Sequence, residues 1–307
     1  PNDFKPSSNC ASIVSQCGNL SREELEASSK TVSVAGRIMA LRDFGKASFI
    51  HIQDRTGRLQ AYIKKDILGD KQFEVFKKCD TGDIVGIAGK PFRTKTNELT
   101  IEADDLRLLA KGLSPLPEKW HGLKDIEARY RQRYLDIMVN KEARDVFQKR
   151  IAAIRYIRNY LSSRDYIEVE TPILQPIYGG AAAKPFTTQH NALDMRLFLR
   201  VAPELYLKRL IVAGFERVFE INRSFRNEGI STQHNPEFTM LEFYEAYSTY
   251  EDLMNLTEDM LSGLVKEICG GTAIEYQGTR LDFSLPWTRI SVKDAILKYS
   301  NADAAIF

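Results

Sequence analysis

The residues best equipped for chemistry in this chain lie in two runs joined by the loop Asn227 to Glu237. In Arg217 to Arg226 the residues alternate, and a strand's period of two puts Val218, Glu220, Asn222, Ser224 and Arg226 on one face. In Phe238 to Tyr244 the same geometry puts Phe238, Met240, Glu242 and Tyr244 on one face and Thr239, Leu241 and Phe243 on the other. If the runs pair as a long hairpin, one sheet face collects an arginine, several carboxylates and two aromatic rings. A core-facing sheet would bury apolar residues there, because unpaired buried carboxylates are costly. The face is therefore either the solvated side of a half-buried sheet or a surface that binds charged ligands.

Elements must position these runs. Lys141 to Ser163 predicts a helix, with Phe147, Ile151, Ile154, Ile157 and Leu161 forming one apolar stripe that has to be buried. A second helix is expected from Tyr250 to about Cys269. Further upstream, Ser21 stands three residues before Glu24, the spacing of a capping box, and predicts a short helix over Ser21 to Ser29. From Thr31 short alternating runs predict five strands: Val32 to Gly36, Ser48 to Gln53, Leu59 to Ile63, Ile84 to Ala88 and Leu99 to Ile101. A helical insert at Lys71 to Lys78 separates the third and fourth, as in a five-stranded Greek-key barrel of the OB type. Ser114-Pro115-Leu116-Pro117 then reads as a linker. The expected organisation is an N-terminal helical arm (1–30), an OB-fold domain (31–112), a linker (113–143) and a further domain (144–307).

Phe225-Arg226-Asn227-Glu228 followed by His234-Asn235-Pro236-Glu237-Phe238 resembles motif 2 of the class II aminoacyl-tRNA synthetases. Arg164 through Glu170 into Thr171-Pro172-Ile173-Leu174 is similar to their motif 1, a helix running into a strand that ends at a proline. Gly179-Gly180-Ala181, Ala202-Pro203-Glu204-Leu205-Tyr206-Leu207-Lys208 and the stretch His234 to Tyr244 look like the lysyl-tRNA synthetase family of bacterial type, across its N-terminal and central part. The resemblance implies an α+β fold: an OB barrel followed by a partial class II antiparallel sheet flanked by helices. It also implies ATP-dependent activation of L-lysine to lysyl-adenylate, transfer to tRNA(Lys), and a homodimer joined through the motif 1 region.

Activation brings the lysine carboxylate and the ATP α-phosphate together, two anions that need positive charge to hold them in line. A guanidinium can bridge both with its fork of donors, which makes Arg226 the expected catalytic residue. By resemblance Phe238 stacks adenine, while Glu228, His234 and Asn235 surround the adenine and phosphates. Lysine carries two ammonium groups and calls for carboxylates at both ends. The resemblance places Glu242 with Tyr244 at the ε-ammonium and Glu204 with the Gly180 carbonyl at the α-ammonium. Glu204 also has a simpler reading, as a charge favourable at a helix N-terminus. In the first domain Phe49 and Gln60 fall in adjacent strands, with Arg42 and Lys46 in the turn before Phe49. A ring to stack a splayed base, an amide to read it and cations for phosphate suit single-stranded RNA. These positions, with Glu98, resemble the family's anticodon-binding residues, although Phe49 could equally fill the barrel core.

The chain holds 43 Lys and Arg against 41 Asp and Glu, and the Thr31 to Lys111 segment carries 15 against 11, a mildly basic surface compatible with nucleic acid. No apolar run approaches the roughly 20 residues of a membrane span, and no charged-then-apolar leader precedes the first domain, so a cytoplasmic protein is expected. Cys10, Cys17, Cys79 and Cys269 lack the paired spacing of a zinc site. The family's third motif, with its Gly-rich strand and γ-phosphate arginine, is not found before Phe307. The expectation is therefore an incomplete catalytic domain, with no metal ligand within this chain and the Mg2+ ligands beyond it. The alternative function is a non-catalytic RNA-binding or regulatory paralogue that keeps the OB module.

Overall fold

In the computed structural model, which describes residues 3–28, 30–117 and 123–300, the chain divides into two units, Pro1–Arg144 and Asp145–Phe307. Ser29 at the end of the first predicted helix, residues 118–122 of the predicted linker and residues 301–307 lie outside the described residues.

The first unit opens with α1 (Cys10–Cys17) and α2 (Arg22–Ala27). The predicted capping box forms at α2, where the Glu24 amide donates to Ser21 Oγ and the Ser21 amide to Glu24 Oε2. The preceding α1 was not expected, because its reciprocal cap is Asn9 with Ser12 instead of a Glu or Gln at the third position. Cys10, Ile13 and Cys17 are its buried face.

Strands β1 (Val32–Asp43), β2 (Ala47–Gln53) and β3 (Arg58–Lys64) follow, then α3 (Lys65–Leu68), α4 (Asp70–Lys77), β4 (Ile84–Arg93) and β5 (Leu99–Ala110). All five predicted strands are present, and each is longer than its run suggested. Burial alternates along β1 as far as Ala40, straight through a register shift in its pairing with β2 between Ile38 and Ala40. The strands join in the order β1-β2-β3-β5-β4 and close on themselves through β1 and β4, with β3 parallel to β5. Ile38, Ile50, Ile52, Ile63, Ile87 and Ile101 fill the interior. The helical insert predicted at Lys71 to Lys78 is α4; the short α3 before it was not expected and is parted from it at Gly69, whose φ of 80° lies in the region glycine favours.

Within the expected linker the chain forms α5 (Ile126–Arg131) and α6 (Arg133–Val139). They gather around the fully buried Asp136, which accepts from Arg129 Nε at 2.8 Å, from Asn140 Nδ2 at 2.6 Å and from Arg133.

The second unit is built from α7 (Lys141–Ser162), within which the division falls, β6 (Ile167–Glu168), β7 (Leu174–Gln175), β8 (Thr187–His190), β9 (Met195–Leu199), α8 (Glu204–Val212), β10 (Arg217–Phe225), β11 (Glu237–Glu245) and α9 (Tyr250–Cys269). A short hairpin, β12 (Ala273–Tyr276) with β13 (Thr279–Asp282), and α10 (Val292–Tyr299) complete it. The central sheet has the order β11-β10-β6, and a second sheet the order β7-β9-β8. The expected antiparallel sheet is in fact mixed: β6 runs parallel to β10. The predicted stripe of α7 is buried only toward its C-terminal end. Tyr160 and Leu161 join Phe219 and Met260 in one core, with Ile157, Ile221, Leu241 and Phe243 packed on it. Ile151 remains 58% exposed.

Candidate functional site

The two chemistry-bearing runs pair as an antiparallel hairpin, with Val218 opposite Tyr244, Glu220 opposite Glu242, Asn222 opposite Met240 and Ser224 opposite Phe238. The pairing puts the polar residues of both strands on one face, as alternation requires. The other face presents Phe219, Ile221, Leu241 and Phe243 to the core. The sheet is thus anchored by one apolar face, while the other carries the polar side chains of both strands.

Arg226 follows directly after β10. Its amide donates to the Pro236 carbonyl at 2.9 Å, which carries the pairing one step beyond the strands. Its guanidinium carbon lies 5.1 Å from the ring centroid of Phe238, and its Nε is buried with no hydrogen-bond partner. Arg226, Glu228, Gly229, His234, Asn235 and Phe238 line one cleft of about 520 Å³. The loop around it is tied down locally. Ser231 and His234 exchange backbone hydrogen bonds, and the Ser231 hydroxyl meets His234 Nδ1 at 2.9 Å. Asn235 Nδ2 donates to the Glu237 carbonyl at 2.6 Å. Lys184, which sequence reading did not single out, latches the loop through its backbone: Asn227 donates to its carbonyl, and its amide donates to Glu228 Oε1.

Toward the other end of the face, the Tyr244 hydroxyl donates to Glu242 Oε2 at 3.2 Å. Burial raises the Glu242 carboxyl above the ordinary carboxylate range; the Tyr244 hydrogen bond and the Arg200 charge pull it down, while Glu204 and Glu220 push it up. The Tyr244 phenol is raised too, first by burial and then by the charges of Glu242 and Glu204. Glu204 is the first residue of α8 and pairs with Lys208 one turn on, so it serves the helix terminus and faces the site as well. Gly180 has φ +86°, and a Cβ there would come within 2.8 Å of Glu204 Cβ. Only glycine lets the Gly179-Gly180 turn approach so closely. The structure therefore brings Gly180, Glu204, Glu242 and Tyr244 together.

Beneath these residues is a network that sequence reading missed. Arg200 and Glu220 are each 1% exposed, and Arg200 Nη1 donates to Glu220 Oε1 at 2.7 Å. Arg200 also donates to the Arg223 carbonyl through Nε and to the Thr171 carbonyl and hydroxyl through Nη1. Glu220 accepts in addition from the Thr171 amide, the Thr171 hydroxyl and Asn222 Nδ2. The available signal was one arginine inside the apolar run Leu197 to Ala202.

In the first unit Arg42, Phe49, Gln60 and Glu98 line a single cleft of about 650 Å³, together with Phe44, Tyr62 and Phe92. Arg42 does not lie in the turn, as expected, but within β1, directly opposite Phe49, because β1 extends past the bulge. Phe49 is half-buried between the inward-facing Ser48 and Ile50 and so does not fill the barrel core. Its ring centroid is 4.8 Å from that of Tyr62, which in turn is 6.1 Å from Phe92, forming an aromatic ledge. Gln60 is buried and donates from Nε2 to Thr100 Oγ1 at 2.8 Å. Glu98 Oε1 lies 3.2 Å from His51 Nε2.

Among the described residues no group of three or more His, Cys, Asp or Glu is placed to hold a metal ion, and no helix is long and apolar enough to cross a membrane.

Residues 125–305 match the family model described as tRNA synthetases class II (D, K and N), and residues 32–109 match the OB-fold nucleic acid binding domain. The chain is 55% identical over 300 residues to the lysine–tRNA ligase of Coxiella burnetii (strain Dugway 5J108-111), covering 98% of this chain and 60% of that protein. It is equally similar, with the same coverage, to the lysine–tRNA ligase of Thioalkalivibrio sulfidiphilus. It is 54% identical over 279 residues to that of Pelotomaculum thermopropionicum, covering 91% of this chain and 55% of the relative. The chain thus spans about 60% of the length of the first of these relatives.

Proposed function

The chain belongs to the class II tRNA synthetases of the D, K and N group, and on that premise we propose that the protein is a lysine–tRNA ligase. In this reading it activates L-lysine with ATP and transfers it to tRNA(Lys), with residues 31–112 reading the anticodon and residues 144–307 supplying motifs 1 and 2 of the catalytic domain. One observation carries the proposal: a single hairpin face holds Arg226, with an unpartnered buried Nε above the Phe238 ring, and also Glu242 beside Tyr244 and Glu204. A cation and an open ring suit a nucleotide phosphate and base, whereas paired carboxylates suit a substrate with two ammonium groups.

In activation a lysine carboxylate oxygen bonds to the α-phosphorus and the bond to the bridging oxygen breaks, releasing pyrophosphate. Arg226 would hold carboxylate and α-phosphate in line and balance the charge that builds between them. Phe238 would stack the adenine, with Glu228, His234 and Asn235 around it. Glu242 and Tyr244 would receive the ε-ammonium, and Glu204 with the Gly180 carbonyl the α-ammonium. Magnesium, expected with ATP in this family, would neutralise phosphate charge; the described residues offer no cluster that fits it, and no step here depends on it. The aromatic ledge and Gln60, with Arg42 and Glu98, would bind the splayed anticodon bases. The exposed Val146, Ile151 and Ile167 support a homodimer through the motif 1 region, and cytoplasmic location follows from use of the product in translation.

The test is amino-acid-dependent ATP–pyrophosphate exchange by the native protein, screened over all twenty amino acids. Exchange with lysine alone supports the reading. Exchange with a different amino acid, or tRNA binding with none, refutes it.

A further inference from the structure

Glu220 stands directly across the hairpin from Glu242. Two like charges at facing positions of one sheet face repel, and an unpaired buried carboxylate is costlier still. The structure removes both problems with one side chain. Arg200, itself 1% exposed, places Nη1 2.7 Å from Glu220 and anchors its other contacts to the Thr171 hydroxyl and the Arg223 carbonyl. The pair contributes no net charge beneath the site. What remains facing Glu242 is Tyr244 from its own strand, the neutralised Glu220 from β10, Glu204 from the start of α8 and Arg200 from the end of β9. Ties from Arg200 to Thr171, in the motif 1 segment, and to Arg223, three residues before Arg226, also fix the hairpin beside that segment.

We propose that Arg200 is a positioning residue for substrate recognition: its clamp on Glu220 cancels the carboxylate across from Glu242 and leaves Glu242 to meet the side-chain ammonium. This rests on the lysine–ligase reading, which two independent readouts separate from it. The first follows the titration of Glu242 in the unliganded native protein by carboxyl-carbon NMR, with Glu242→Gln identifying the resonance. The second is the pH profile of kcat/KM for lysine in pyrophosphate exchange, with KM for ATP measured in parallel.

The signs differ between variants. Arg200→Met leaves Glu220 uncompensated, so the Glu242 titration and the acid limb of the lysine profile move to higher pH. Glu220→Gln leaves Arg200 uncompensated, so both move to lower pH, while lysine KM rises on the plateau because a free cation repels the substrate ammonium. A displacement of about one pH unit, equal to a tenfold change in lysine kcat/KM on the acid limb, is expected in each. The double variant Arg200→Met/Glu220→Gln returns the profile toward that of the native protein, and KM for ATP stays within about twofold throughout, the contrast that separates ground-state lysine contacts from general damage. If Arg200→Met does not fold, Glu220→Gln and the double variant carry the test. Displacement in the same direction in all variants, no displacement, or equal loss for lysine and ATP overturns the proposal. A native protein that does not use lysine refutes the ligase reading instead, and the NMR titration still decides whether Arg200 and Glu220 govern Glu242.

Discussion

Replacing Arg226 with methionine should stabilise the fold slightly while disabling the chemistry. The variant keeps an apolar stem of similar length, and the amide that donates to Pro236 at 2.9 Å belongs to the backbone and survives. Two side-chain terms change. Loss of the guanidinium lying 5.1 Å from the Phe238 ring costs about 0.5–1 kcal/mol for a partly exposed cation–π contact. Loss of a buried Nε that lacks an acceptor relieves about 1–3 kcal/mol of unmet hydrogen bonding. The net expectation is a stability gain of ~0–2.5 kcal/mol, readable in the exchange protection of the β10 and β11 amides. Against that, removing a preorganised donor from the reacting centre should lower the rate of lysine-dependent pyrophosphate exchange by roughly 10²–10³. Destabilisation beyond about 1 kcal/mol would mean that Arg226 is a structural residue with a partner the geometry does not reveal. Exchange within about tenfold of the native rate would remove it from the reaction.

Phe49→Ala should weaken binding of an anticodon stem-loop by about 1–3 kcal/mol, the measured worth of a ring stacked on a base, and Gln60→Ala should weaken it too. Both should leave lysine-dependent exchange intact, and an equal loss of both activities would refute anticodon reading by this cleft. Phe219→Ala, which empties a fully buried position under the hairpin, should cost about 3–5 kcal/mol in urea unfolding. A loss below about 1 kcal/mol would show that the second core does not support the site. With Ellman's reagent at pH 8, of the four cysteines only Cys269 should react quickly. Cys269 is exposed, whereas burial, reinforced by Asp54, pushes the Cys10 thiol up to about 12, and burial raises Cys79 to about 11. Cys17 is buried as well. Two or more fast thiols in the native protein would contradict this packing.

How much of this was legible in the sequence depended on whether a residue's role is local. The hairpin could be read because period-two alternation in Arg217 to Phe225 and in Phe238 to Tyr244 is a backbone property, but its register, closed by the Arg226 amide on the Pro236 carbonyl, needed the structure. The barrel strands could be read for the same reason, but not their lengths: beyond Gly36 the burial of β1 still alternates, but Ile38, Met39, Ala40 and Leu41 are all apolar, so the residue types no longer do. Helix α2 announced itself through Ser21 and Glu24, whereas α1 uses Asn9 and Ser12, residues that fit a turn equally well. Helices α5 and α6 are held by Asp136, a buried charge with no periodic signature. The α7 stripe was visible, but the sequence could not distinguish its buried C-terminal turns from the exposed Ile151.

Arg200 and Arg226 show why the remainder needed coordinates. Each follows directly on a strand with an apolar residue before it, so composition and spacing treat them alike. In space they are opposites. Arg200 is enclosed, with Nε and Nη1 directed at Arg223, Thr171 and Glu220, and a ligand could reach it only by dismantling that network. Arg226 is half-buried at a cleft with its Nε unsatisfied, a state that folding alone disfavours. An unmet donor kept at the mouth of a cleft, next to an open ring, is stable only because the rest of the hairpin holds it there, through the Pro236 closure and the Phe219 core. The two arginines are thus held by different means: Arg200 ties the strand at Arg223, whereas Arg226 is set by the backbone bond to Pro236. A change at Arg200 should therefore be felt at Glu242, where the charge it cancels stands directly opposite, and leave the Arg226 end within the limit of about twofold set for ATP.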